Sequence, residues 1–163
     1  MKELNVSKLF DLTEDSKRKI CVYNQKKDQK EVQKAIKYIC KNIIKMAKLG
    51  LGSYLYNFES VPVFISGKKS WIVLEVARYF YNKEFRIKMG VEDVGYVSYV
   101  EDIPGAHCIK FSLYIEWDQN KIKQTPKTLF IELEKQFQNN FIETRNKIID
   151  EVSDKYCDKG ENK

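Results

Sequence analysis

From Ala106 to Asp118 the chain reads AHCIKFSLYIEWD, and its side chains alternate. His107, Ile109, Phe111, Leu113, Ile115 and Trp117 fall on one side of an extended backbone. Cys108, Lys110, Ser112, Tyr114, Glu116 and Asp118 fall on the other. A strand that is apolar along one side has to be covered, so this stretch commits the chain to a sheet with a second layer against one face.

The residues before it supply the rest of a sheet. FRIKMGV is expected to turn at Glu92–Asp93 into GYVSYVE, which turns through DIPG into the strand above, an antiparallel meander with Gly95, Pro104 and Gly105 at its corners. Farther upstream, SYLYNF and VPVFIS read as extended, with Pro62 confining the second to an edge or a connection.

Three helical patterns supply the covering layer. Between Lys30 and Leu49, Val32, Ala35, Ile36, Ile39, Cys40, Ile43 and Ala47 share one side of a 3.6-residue period, and Gly50 stands where a helix commonly ends in a left-handed residue. Ser70 is placed to cap a second helix, WIVLEVARYFYNKEF, whose core stripe is Val73, Val76, Ala77 and Phe80, with Trp71, Glu75 and Arg78 on the outer side. Thr125 and Pro126 are the expected start of a long C-terminal helix carrying Phe130, Leu133, Phe137, Phe141, Thr144, Ile148 and Val152 in one stripe. At about 45 Å this helix would outrun a typical sheet, so part of the stripe should meet the N-terminal helices or a second copy of the chain. Residues 1–29 read as a polar segment with two short helices, VSKLFDL and TEDSKRKICVY, the latter capped by Thr13, and 157–163 as a frayed tail. The fold expected is therefore α+β: one domain over 1–163, an antiparallel meander of three to five strands packed by helices, with a long C-terminal helix.

Charge is distributed unevenly. Residues 1–50 carry 13 Lys and Arg against 6 Asp and Glu, so the whole of the chain's +6 net charge lies in its first third. Lys30, Lys34, Lys37, Lys41, Lys45 and Lys48 fall within an arc of roughly 80° on the helix side opposite its apolar stripe. Solvated helix faces usually mix signs, whereas Glu31 is the only carboxylate between Lys30 and Lys48. Six like charges along about 27 Å point to a polyanionic partner: nucleic acid, or an acidic host protein. The scarcity of Arg argues against base-specific readout, and Tyr38, Tyr54 and Tyr56 are candidates for stacking on bases.

Reactive chemistry is thinly represented. The single His107 stands beside Cys108, but neighbours on a strand face opposite ways, which leaves His107 as a hydrogen-bonded residue at the mouth of the core row and Cys108 as a surface or second-face thiol. Cys21, Cys40, Cys108 and Cys157 have no paired spacing, so thiols without disulfides are expected and a structural zinc site is not. Glu92–Asp93 and Glu101–Asp102 invite a divalent-metal nuclease reading, but the expected meander places the two pairs roughly 30 Å apart, at opposite ends of one strand. SGKKS and GLGSYL each lack residues of the phosphate-binding motifs they approach. The reading is a binding protein without enzymatic activity, cofactor or metal. Alternatives are a homo-oligomeric scaffold using the C-terminal helix as a homodimer contact, a nucleotide-sequestering pocket between the aromatic-rich helix and the sheet, and a metal-dependent nuclease. With no long apolar run and no secretory pattern, no membrane partner and a cytoplasmic location are expected.

MAKLGLGSYLYNF, WIVLEVARYFYNKEFRIKMG and LYIEWD, between residues 43 and 117, together resemble a pattern of small α+β accessory proteins from phages with AT-rich genomes. The resemblance carries no catalytic residues. It implies a viral or mobile-element protein, acting in the host cytoplasm, of the small basic kind that binds host factors or nucleic acid.

Overall fold

Strand β4 (Ala106–Glu116) forms the centre of the sheet, as its alternation requires. In the computed structural model, backbone is described for residues 6–97, 105–124 and 126–157, and side-chain environments for 25–97, 105–123 and 126–155. The elements run α1 (Val6–Lys48), β1 (Ser53–Asn57), β2 (Val61–Pro62), a 3₁₀ turn (Val63–Ile65), α2 (Ser66–Asn82), β3 (Arg86–Val97), β4, α3 (Gln119–Gln124) and α4 (Phe130–Cys157). The fold is α+β, with four antiparallel strands and a long C-terminal helix.

One edge of β4 pairs along β3, from Arg86 opposite Glu116 to Val97 opposite Ala106. Its other edge pairs with β1, Ser53 opposite Glu116 through Asn57 opposite Ser112, and then with the two residues of β2. Pro62 thus lies on an edge, where its missing N–H costs no ladder bond. The register puts Tyr54, Ile87 and Ile115 on one face, followed by Tyr56, Met89 and Leu113, then Val91 and Phe111. Helices α1, α2 and α4 cover this face. Val32, Ile36 and Ile39 of α1, Val73, Val76, Ala77 and Phe80 of α2, and Phe137 and Ile148 of α4 join Ile109, Phe111, Leu113 and Ile115 in one buried core.

Several expected boundaries move. The two short N-terminal helices and the Lys30–Leu49 helix are a single helix, α1, with Thr13 inside it. Nothing between Val6 and Lys48 interrupts it, since the segment holds neither Gly nor Pro. Gly50 ends α1 as expected: φ is +77°, and the Leu51 and Gly50 N–H groups donate to the Met46 and Ala47 carbonyls. Ala47, expected in the apolar stripe, is exposed at this last turn. Helix α2 begins at Ser66, before the expected cap; Ser70 lies in its first turns, with Oγ donating to the Gly67 carbonyl, so SGKKS is helix and not a phosphate loop. The core stripe of α2 is buried as expected, together with Ile72 and Leu74.

The expected turn at Glu92–Asp93 is instead a β-bulge within one long strand, where the register slips between Asp93 and Gly95. Gly95 has φ of +73°, and its N–H donates to Asp93 Oδ1 at 2.8 Å. The turn-forming residues are real, but they bend a strand and do not end it. Of the segment GYVSYVE only residues 95–97 are described, and Pro104, Glu101 and Asp102 lie outside the described residues.

Helix α4 starts at Phe130, four residues after Pro126. The preceding connection is held in a non-helical path: Arg86 donates to the Ile122 and Pro126 carbonyls at 2.7 and 2.9 Å, and Tyr81 Oη donates to the Thr128 carbonyl. Thr125 lies outside the described residues, as do 158–163 of the tail. The stripe of α4 is the expected one, with Phe137 and Ile148 buried and Phe130, Leu133, Phe141, Thr144 and Val152 half-buried. Its 28 residues span about 42 Å, and the 12 residues of the uninterrupted β3 span about 40 Å. Helix and sheet therefore match in length within one chain.

Candidate functional site

The lysine face is intact in three dimensions. Lys30, Lys34, Lys37, Lys41, Lys45 and Lys48 are all exposed on α1, opposite the buried Val32, Ala35, Ile36, Ile39 and Ile43. None of the six forms an ion pair among the described residues. Lys26 and Lys27, also exposed, continue the row one turn earlier. They are missed when the helix is started at Lys30, although the charge excess of the first fifty residues already includes them.

The two carboxylates of the described part of α1 are engaged elsewhere. Lys68 Nζ of α2 lies 2.6 Å from Asp28 Oδ1, an ionic contact without good hydrogen-bond alignment at that oxygen. Lys69 of α2 donates to the Glu31 carboxylate. The acids that would mix the sign of the face thus tie α1 to α2 instead.

Of the three tyrosines expected as stacking candidates, Tyr38 is the exposed one. Its side chain is 56% exposed at the rim of the lysine arc, and its ring lies 5.7 Å from that of Tyr56. Tyr54 and Tyr56 pack against the core. Burial raises the Tyr56 hydroxyl pKa above its ordinary value, with the neighbouring Tyr38 and Tyr54 adding to the effect.

His107 and Cys108 point to opposite faces, as alternation requires. Cys108 is fully buried and not a surface thiol, because β4 is flanked there on both edges, by Pro62 of β2 and Gly95 of β3. Cys40 and Cys108 form no disulfide. Cys21 and Cys157 have no described side-chain environment.

Around His107 the structure assembles a cluster that its sequence positions conceal. His107 Nε2 lies 2.6 Å from Asp93 Oδ1, and the Tyr96 ring lies 5.0 Å from the imidazole. Glu151, from the late turns of α4, brings a carboxylate oxygen into a set of three potential ligand atoms, all within 4.8 Å of one another. Lys147 is 3.9 Å from Glu151 across one helical turn, and Lys155 sits over the Tyr96 ring. Burial would raise the Asp93 pKa, but the Gly95 N–H, His107 and Lys147 outweigh it and hold the carboxyl below its ordinary value. Asp93 is 14 residues from His107 and Glu151 is 44, and the bulge that turns Asp93 onto this face has only Gly95 as its signal.

A cleft of about 570 Å³ lies beside the first residues of β3, bounded by Tyr81, Arg86, Lys88, Tyr114, Lys127 and Phe137. It is the nearest counterpart to a nucleotide pocket between the aromatic-rich helix and the sheet. Two of its cations have structural duties: Arg86 holds the α3–α4 connection, and Lys127 binds the Tyr81 carbonyl and the Glu84 carboxylate. Among the described residues, no helix is long and apolar enough to cross a membrane. No family model, curated protein or solved structure matches this chain.

Proposed function

We propose that this protein binds nucleic acid without sequence specificity through the lysine face of α1, and that it does so as a cytoplasmic binding protein of viral or mobile-element origin, without catalysing a reaction. The observation that carries the reading is the row Lys30, Lys34, Lys37, Lys41, Lys45 and Lys48, exposed together while Asp28 and Glu31 are engaged by α2. Along about 27 Å of helix the row meets a partner whose phosphates repeat every few ångströms, and each lysine that neutralises one releases a condensed counterion. Lysine ammonium groups are point charges on flexible stems, so they grip a backbone without selecting a base. The exposed Tyr38 ring at the rim adds a surface on which an unpaired base can stack, which favours nucleic acid over an acidic host protein.

The test is binding of labelled single-stranded and duplex oligonucleotides to the wild-type chain and to the Lys37→Glu, Lys41→Glu, Lys45→Glu variant. The triple change is expected to abolish binding while leaving the circular dichroism spectrum and Tm nearly unchanged, since all three side chains are exposed. Binding that survives both the triple change and about 0.5 M salt overturns the proposal. Loss of an acidic protein's binding, with no nucleic-acid binding by the wild type, would assign the same face to the other class of partner.

A further inference from the structure

We propose that the nucleic acid on the lysine face is a single strand, and that Trp71 of α2 supplies a ring on which one of its unpaired bases stacks. This rests on the lysine face binding nucleic acid; it adds which form fits and where a base is held.

The placement of Trp71 is the first argument. Core packing takes Ile72, Val73, Val76 and Ala77 of α2 and leaves Trp71 on the outer side, 38% exposed. Its indole joins none of the ring-to-ring contacts among the described residues, which engage such rings as Phe80, Phe111 and Trp117 instead. A large, stiff ring with one polar edge, left partly open to solvent, is the kind of side chain that binding surfaces are enriched in.

The second argument is the groove beside it. Trp71 lines a groove of about 680 Å³ at the α1–α2 junction, together with Gln25, Lys26, Asp28, Gln29 and Lys30 of α1. That volume is in the range of sites that hold small ligands, ample for one base and its sugar.

The third argument is charge, and the continuity of the groove with the lysine face. Lys30 belongs to both. At about 100° per residue, Lys26 and Tyr38 stand roughly 60° to either side of the centre of the lysine arc. The groove therefore opens on one flank of the face, and the exposed Tyr38 ring stands on the other. The nearby acids are engaged: Asp28 by Lys68 at 2.6 Å, and Glu75, one turn along α2 from Trp71, by Arg78 at 2.5 Å. Lys26 and Lys30 form no ion pair among the described residues. A phosphate can thus sit on Lys26 or Lys30 while its base lies on the indole.

Only a single strand uses the whole arrangement. In a duplex the bases are stacked on one another, so it meets the lysines but offers no base face to Trp71. Residues 25–30 and Tyr38 are about 12–20 Å apart along the helix, so one strand crossing the arc obliquely reaches both rings. Stacking accepts any base, because every base has a π face, which agrees with lysines that grip the backbone without reading sequence.

The experiment titrates the full chain at fixed salt with oligo-dT and oligo-U of about 20 nucleotides and with a mixed-sequence DNA duplex of the same length, reading label anisotropy and tryptophan emission. At least one single strand is expected to bind about tenfold or more tightly than the duplex and to quench the emission, which the duplex leaves nearly unchanged; the tighter of the two identifies the sugar. Trp71→Ala should lower single-strand affinity about tenfold and duplex affinity far less. Trp71→Phe keeps a ring, so it should retain most of the single-strand affinity while losing the quenching. Trp117, packed against Phe85 at 6.4 Å, remains as the internal reference. The wild-type comparison and Trp71→Phe do not depend on how well Trp71→Ala folds. Equal affinity for single strand and duplex, or wild-type single-strand binding and quenching in the Trp71 variants, overturns the stacking proposal and leaves the lysine face to be judged by its own triple variant. Failure of the wild type to bind any of the three oligonucleotides overturns both.

Discussion

Lys69 of α2 donates a hydrogen bond to Glu31 of α1, thirty-eight residues away in the chain, and in doing so engages the one carboxylate that the sequence places between Lys30 and Lys48. With Lys68 on Asp28 one turn earlier, the start of α2 neutralises α1 on the side toward the core and leaves the outer side uniformly cationic. Glu31 and Lys68 are substantially exposed, so neither ion pair contributes more than about 1 kcal/mol to stability. Their effect is on the field that α1 presents.

That field should show in the salt dependence of binding. If the six lysines of the face each neutralise one phosphate of a duplex, the slope of log Kobs against log salt is about −5, and replacing Lys37, Lys41 and Lys45 by Gln should flatten it by roughly half. Affinities measured between 50 and 200 mM salt on one duplex give both slopes. A slope near zero for the wild type would show that the face does not contact the backbone.

Packing of α4 on the sheet centres on Phe111, whose ring lies 5.9 Å from that of Phe137 and 5.7 Å from that of Phe141. Phe111→Ala should destabilise the fold by about 3–5 kcal/mol, read from urea denaturation, and Phe111→Leu by appreciably less. Equal losses from Phe141→Ala are not expected, because Phe141 is only half-buried.

Two helices end in the same way with different residues. Gly50 closes α1 at φ +77°; Glu84 closes α2 at φ +68°, with Glu84 N–H donating to the Tyr81 carbonyl and Phe85 N–H to that of Phe80. Glycine adopts this conformation without the Cβ penalty that a glutamate meets. Glu84→Gly should therefore raise stability by up to about 1 kcal/mol despite the loss of its exposed ion pair with Lys127, and Gly50→Ala should lower it by about 1 kcal/mol. Thermal denaturation of the two variants checks both signs.

Alkaline pH should unfold the chain in part through Tyr56. Its folded-state pKa lies above the ordinary tyrosine value of 10.0, so the folded form holds the phenolic proton more tightly than the unfolded form. The resulting stabilisation is complete below pH 10 and is lost as pH rises through the folded value. Tyr56→Phe cannot ionise, and its stability should fall less steeply above pH 10 than that of the wild type, as denaturation midpoints across pH 8–11 would show.

How far the sequence alone reached differs from element to element. The alternation of 107–117, the stripe from Phe130 to Val152, the core row of α2 and Gly50 at the end of α1 were legible, because each is a local period or a local backbone demand that the core then uses unchanged. The lysine face was legible for the same reason: charges at helical spacing stay on one side whatever the helix packs against. Element ends were less so. Glycine and proline signals mark a change of backbone direction without saying which, so Gly95 served a bulge and not a turn, and Pro126 preceded a connection held by Arg86 and Tyr81 and not the first turn of α4.

What only the tertiary structure decided is which distant residues meet. The bulge at Asp93, the position of His107 at the end of the core row and the run of α4 along β3 bring Asp93, His107 and Glu151 together, and no periodicity links three residues on three elements. The same holds for Asp28 and Glu31, whose charges count against the lysine face in the sequence and are withdrawn from it by Lys68 and Lys69 once α2 is packed in place. Patterns along one element are set by its own residues; clusters between elements exist only when burial of the apolar faces has fixed how the elements lie.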